Sequence, residues 1–429
     1  MRTISLTPSP SPGGRGERVR KLAKSGTSDD EARFMTTELA QAYRDFPATE
    51  RWTYMDVSAR GLLPRFARDA LVAHLDERMH AELDKYGYFD MIERVRGRFA
   101  QHLHAGADEI AFTKNVTEGL AAIAASIDWR SGDNLVICPE IEHPANVYAW
   151  LNLQRRGVEI RMVAPRLGTL PVEEAIARID ARTRVLTCAT VSFAPGFRTD
   201  LATLGAACRS RGVMLVVDAA QSVGVLDNDV ASLNIDALAA STQKGLLGLY
   251  GMGFLYCRRE IADRLQPAYL SRFGVDLGDA SEADLGSFEY RLAGGARRFD
   301  LGNYNFTAAL NADSTLEYLA GFGQEAIENY VLGLSHRLAR GLLALGLPVG
   351  GGEPGPHLAH IVTVGRLSQG GHDSTGDARM QSLHDHLAEH RVKLSIRRGV
   401  LRLSLHLYNT EHDVDRVLEL AAEWSRRGA

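Results

Sequence analysis

An α/β fold built on a mostly parallel sheet follows from three features of this 429-residue sequence. Short apolar runs alternate with longer amphipathic stretches through the middle of the chain, the rhythm that stacks helices on both faces of a parallel sheet. An aspartate closes one apolar run and a lysine follows the next, which puts chemistry at strand ends, where open α/β sheets bind ligands. The composition, 45% hydrophobic and 24% charged, is that of a globular chain able to bury one or two cores.

Residues 1–34 are rich in Pro, Ser, Gly and charge and offer little to bury, so they are expected to be a disordered extension. Residues 35–60 are expected to pack with a smaller domain. Apolar residues recur at helical spacing from about Phe66 to His104. Seven strands are then predicted, at 110–112, 134–137, 159–163, 185–189, 213–217, 237–240 and 253–257, with helices at 117–128, 145–156, 171–179 and 200–211. The last two strand pairs lack a clear helix between them. Residues 61–299 therefore read as a large domain. Beyond it come two long helices near 307–321 and 324–346, two or three short strands and a terminal helix near 411–426, a smaller α+β domain over 300–429. The stretches 350–355 and 368–377, with their Gly and Ser, read as surface loops.

Several classes of function are excluded. The net charge is −4, from 49 basic and 53 acidic side chains, and no long basic block follows the first residues, so no nucleic-acid partner is expected. A small soluble molecule is the expected partner. Four cysteines (Cys138, Cys188, Cys208, Cys257) without metal-type spacing argue against zinc or a disulfide framework and suit the cytoplasm. No apolar run approaches the roughly 18 residues of a membrane span, and the N-terminus lacks a signal peptide's apolar core, so no membrane association is expected.

The densest motif is Val216-Val217-Asp218-Ala219-Ala220-Gln221-Ser222-Val223-Gly224, followed by Ser241-Thr242-Gln243-Lys244-Gly245. An acid and a lysine at neighbouring strand ends match what pyridoxal phosphate needs: an amine to form a Schiff base and a carboxylate to keep the pyridine nitrogen protonated. Thr117-Glu118-Gly119 opens an apolar helix directly after a strand, where free N–H groups and the helix dipole favour a phosphate. His143, between a strand and a helix, offers a flat titratable ring able to stack on a cofactor and move protons.

Together these motifs resemble the class V aminotransferase family of fold-type I pyridoxal phosphate enzymes, from Tyr54-Met55-Asp56-Val57-Ser58 to the terminal helix. The resemblance implies a large domain with a mostly parallel seven-stranded sheet and a smaller α+β C-terminal domain. It implies pyridoxal 5'-phosphate as cofactor, with Lys244 as Schiff-base lysine, Asp218 on the pyridinium nitrogen, His143 stacked on the ring and Gln221 near the phenolic oxygen. Thr117 and the backbone of Val116 would bind phosphate with Ser241 and Gln243, the last standing where desulfurases usually have His. Gly302-Asn303-Tyr304-Asn305 resembles the segment that reaches a partner's phosphate across a dimer, with Asn303 where many members have Thr, so a homodimer is implied.

Leu401-Arg402-Leu403-Ser404-Leu405-His406-Leu407-Tyr408-Asn409-Thr410 resembles the motif whose arginine grips the substrate carboxylate. Arg402 is the candidate, since a guanidinium bonds a carboxylate through two parallel hydrogen bonds, and Arg397 and Arg398 compete for the role. Two departures bear on the reaction. No cysteine follows Cys257, so the loop thiol that accepts sulfur in desulfurases is absent, and Phe193 stands where the family often has Asn. The expected activity is that of a pyridoxal phosphate enzyme on a small α-amino acid, nominally an aminotransferase. The alternatives are a lyase or epimerase on a cysteine-derived or peptide-like amino acid, and a non-catalytic cofactor-binding regulator.

Overall fold

The computed structural model describes residues 38–82, 84–278, 289–368 and 371–427. The extension 1–34 lies outside the described residues. Helices α1 (Arg65–Met79) and α2 (Lys85–His102) precede the sheet. Asp84 caps α2 by accepting from Tyr86 N at 3.0 Å, and Met91, Ile92, Val95 and Phe99 of its apolar stripe are buried.

The sheet then builds in βα steps: β1 (Ile110–Thr113), α3 (Val116–Ser126), β2 (Asn134–Ile137), α4 (Ala145–Leu151), β3 (Glu159–Met162), α5 (Val172–Ala177), β4 (Thr183–Ala189), α6 (Leu201–Arg211), β5 (Met214–Asp218), β6 (Ala237–Ser241) and β7 (Gly253–Cys257). Its order is β1-β7-β6-β5-β4-β2-β3, with β7 antiparallel to both neighbours and the remaining pairs parallel. Strands β6 and β7 are buried at every position, as strands covered on both faces must be, and this explains their unbroken apolar runs.

The two missing helices have separate explanations. β6 and β7 are antiparallel neighbours and need no crossover, while β5 reaches its parallel neighbour β6 through turns anchored by Val223, Val225, Leu226 and Val230, all buried. The helix expected from 117 starts one residue earlier, at Val116, with Asn115 as its cap, and the one expected over 145–156 is α4 followed by a 3₁₀ turn over Asn152–Arg156.

After the sheet, α7 (Phe306–Phe322) lies on α1 and α2, and α8 (Gln324–Ala344) lies on the terminal helix. A three-stranded antiparallel sheet follows, β8 (Ile361–Val364), β9 (Ser395–Arg397) and β10 (Val400–Ser404) in the order β8-β10-β9, with α9 (Ala378–Glu389) and α10 (Glu411–Arg427) beside it. Val392–Lys393 is a fourth short strand here, beyond the two or three expected. It pairs in parallel with Thr53–Tyr54, so the N-terminal segment is stitched to the C-terminal region, and Asp56 bridges to Ser404 at the end of β10. No helix among the described residues is long and apolar enough to cross a membrane.

Candidate active site

The strand ends on one edge of the sheet converge on a cavity of about 440 Å³. β1 turns into α3, where Asn115 accepts from Glu118 N at 2.9 Å. The N–H groups of Val116 and Thr117, in the first turn, have no carbonyl partner within the helix, so they stay available at the positive end of the helix dipole. β5 delivers Asp218 and then Gln221, and β6 delivers Ser241 and the turn carrying Gln243 and Lys244. His143 follows β2 through a short 3₁₀ turn, and its Nδ1 accepts from Ala145 N at 3.1 Å, so the neutral ring carries its proton on Nε2.

Val116, Thr117, His143, Asp218, Gln221, Ser241, Gln243 and Lys244 all line this one cavity. Asn303 does not. It lines a neighbouring hollow of about 180 Å³, which shares Lys114 and Gly251 with the cavity, and it has a left-handed backbone (φ 36°). Asn115, Ala189, Val191, Ala220 and Tyr250 also line the cavity and escaped the sequence reading. The cap position three residues before Glu118 signalled Asn115. Ala189 ends β4 on the same edge, whereas nothing in the sequence singles out the loop residue Tyr250.

Electrostatics separate these groups from ordinary surface residues. Burial pushes the Lys244 amine down to about 8, with Arg402 and Arg397 acting in the same direction and Asp218 opposing them. Burial raises Asp218, against the Ala220 N–H it accepts at 2.9 Å and the Lys244 charge, both of which lower it. His143 is exposed, yet the surrounding walls push it down to about 4, helped by the cations Lys244 and Arg402. Gln221 donates from Nε2 to Ser58 O at 3.2 Å, and its buried Oε1 has no partner.

Arg402 lies behind the lining. It is 1% exposed, donates from Nη1 to Phe193 O at 2.8 Å, and holds Ser395 Oγ with Nε and Nη2 at 3.4 and 3.3 Å. The Phe193 ring stands between the two groups, edge-on to His143 at 4.9 Å and 5.2 Å from the Arg402 guanidinium carbon. Burial pushes Arg402 down to about 10, with Arg397 adding to it and Asp56 opposing. Arg397 is committed elsewhere, donating to Asp373 at 2.6 Å, and Arg398 occupies a left-handed turn (φ 50°). All four cysteines are buried and none lines the cavity, and burial pushes Cys138 and Cys208 up to about 12.

With this geometry in view, comparison with known proteins is specific about the family. The family model described as aminotransferase class-V matches residues 73–417. A probable cysteine desulfurase of Methanothermobacter thermautotrophicus (strain Delta H) is 27% identical over 419 residues, covering 92% of this chain and 100% of the relative. The uncharacterized aminotransferase YcbU of Bacillus subtilis (strain 168) is 28% identical, covering 90% and 98%. Among solved structures, the apo cysteine desulfurase of Thermococcus onnurineus NA1 superposes with a TM-score of 0.75 at 24% identity, over 90% of this chain and 98% of that one.

Proposed function

We propose that this chain, which belongs to the class V aminotransferase family and is a pyridoxal 5'-phosphate-dependent enzyme, transfers the amino group of a small α-amino acid to a keto acid. The observation that carries the reading is the pairing of the Lys244 amine with the buried Asp218 carboxyl in one cavity. The donor set fits the cofactor. The first turn of α3 suits its phosphate, Asp218 its pyridine nitrogen, the His143 ring its face and the unpartnered Gln221 Oε1 a polar group at its rim. When bound, the cofactor supplies an aldehyde for amines and a ring that accepts electrons from the α-carbon.

The remaining work falls to the chain. Lys244 Nζ, brought down to about 8, carries far more free amine near neutral pH than an ordinary lysine although the protonated form still dominates, and it is the base that removes and returns the α-proton. Asp218 holds positive charge opposite it. Arg402, buried and hydrogen-bonded to a hydroxyl and a carbonyl, is the seat for the substrate carboxylate, since a buried guanidinium whose hydrogen bonds reach neutral groups gains from a carboxylate. Sulfur transfer through a protein persulfide is disfavoured by the burial of every cysteine.

The reading extends to organisation. Residues 61–299 form the cofactor-binding domain, with 35–60 packed on the 300–429 domain. The chain works as a homodimer whose partner approaches the hollow at Asn303, a reading supported by Lys114 and Gly251, which line both that hollow and the cavity.

The test is amino acid consumption by the purified enzyme with and without an α-keto acid. Aminotransfer predicts turnover only with the acceptor, and one new amino acid for each donor consumed. Release of ammonia and a keto acid without any acceptor contradicts it and is the outcome expected of a lyase.

A further inference from the structure

Strand β10 presents alternate side chains to one face, and the alternation continues two residues past its end. Arg402, Ser404 and His406 are thereby aligned, all essentially fully buried, and each bonds a different segment: the cavity residue Phe193, Ser58 beside Gln221, and Gly245 beside Lys244. Arg402 reaches Phe193 O at 2.8 Å. Ser404 Oγ accepts from Ser58 N at 2.9 Å, and the Ser58 carbonyl in turn accepts from Gln221 at 3.2 Å. His406 Nε2 meets Gly245 O at 2.8 Å, one residue past Lys244.

The tautomer of His406 is set by its neighbours. Nδ1 accepts from Leu407 N at 2.6 Å, so the ring proton sits on Nε2 and is donated to Gly245 O. The ring stacks on Tyr408 at 5.3 Å with 15° between planes, which leaves it one orientation. On the other side of Lys244, Gly61 N donates to Gln243 O at 2.9 Å. A Cβ on Gly245 would run into Val223 O, and one on Gly224 into the Gly245 carbonyl, so the backbone of the turn is also wedged from beneath. The lysine's main chain is thus held from both flanks by groups distant in sequence.

We infer that His406 is a positioning residue for Lys244: its Nε2–H fixes the carbonyl beside the lysine and ties the lysine's turn to the strand that bears Arg402. The inference rests on the reading of Lys244 as the reactive amine. It assigns the C-terminal strand a role beyond substrate anchoring. A shift of β10 when a carboxylate docks at Arg402 reaches the lysine through one hydrogen bond.

The experiment compares His406→Phe, His406→Asn and His406→Gln as purified holoenzymes. The measurements are kcat, KM and the pH midpoint of the bound cofactor's absorbance band. Glutamine places an N–H near the position of Nε2, phenylalanine removes the donor, and asparagine is too short to deliver it. The expected result is a kcat loss of roughly tenfold to a hundredfold in the Phe and Asn variants, with KM little changed, as for a displaced catalytic group. The band midpoint shifts in both, and Gln restores kcat and midpoint together.

A purely structural role predicts lowered thermal stability with the wild-type midpoint and kcat, and that result overturns the inference. Where the Phe variant does not fold, equal behaviour of Asn and Gln overturns it. Wild type binding no cofactor would instead contradict the reading of the site, which keeps the two failures apart.

Discussion

Glu142, next to His143, shows how much of the site's chemistry sits one layer below its lining. It is 2% exposed, accepts from Ala189 N at 2.8 Å and from Asn146 Nδ2 at 2.9 Å, and so links the His143 loop to the end of β4. Burial pushes its pKa from 4.5 up to about 8, with Asp218 adding to the shift and the two N–H donors opposing it. The folded protein therefore keeps a proton that the unfolded chain loses above about pH 4.5, and stability falls as pH rises through the window up to about 8. Glu142→Gln, isosteric with the protonated acid, removes that slope. Its melting temperature relative to wild type should climb from about pH 5 to pH 8, whereas a constant difference contradicts the assignment. Nothing in the sequence separates Glu142 from its neighbour Glu140, because burial of a carboxyl is settled by tertiary packing. Asp218 was legible as a cavity residue because it ends a strand, and Lys244 and His143 because each follows the C-terminal end of one within a few residues, where open α/β sheets form their crevice. Arg402 was legible only as a type of residue. Its placement behind Phe193, and the commitment of Arg397 to Asp373, depend on contacts between segments far apart in the chain.

Elements were read with small errors whose causes are local. The seven strands of the main sheet fall within a residue or two of the expected spans; β4, β5, β6 and β7 are legible because strands covered on both faces exclude most polar residues, whereas the edge strand β3 is partly exposed and carries Glu159 and Arg161. Helix starts were less visible. Thr117 was expected to open α3, yet the helix starts at Val116 with Asn115 as its cap, which leaves Thr117 inside the first turn, on the cavity. The two-residue strand Val392–Lys393 escaped because its partner is Thr53–Tyr54, and no periodicity within a two-residue segment can reveal so distant a pairing. β10 carries the richest information of any element. Its period of two was visible as Leu401-Arg402-Leu403-Ser404-Leu405-His406, but the resemblance drew attention to the arginine alone. The polar members of that alternation are the ones that touch Phe193, Ser58 and the lysine turn.

At the scale of the molecule, N- and C-terminal segments both bond the lysine turn, one on each flank of Lys244. Asp56 bridges to Ser404, Gly61 N holds Gln243 O and His406 holds Gly245 O, so the turn that carries Lys244 is held by residues from both the N-terminal and the C-terminal segments. The same scale carries the proposed dimer. Sedimentation of the cofactor-loaded enzyme should give twice the chain mass, and a monomer of full cofactor content contradicts a shared site. The central claim, that Lys244 is the amine that binds pyridoxal 5'-phosphate, is tested most directly by borohydride reduction followed by peptide mass spectrometry. The account predicts a pyridoxyl group fixed on Lys244, with loss of the absorbance band in wild type and neither label nor band in Lys244→Ala. A label on another lysine, or wild type that stays unlabelled in excess cofactor, would contradict it.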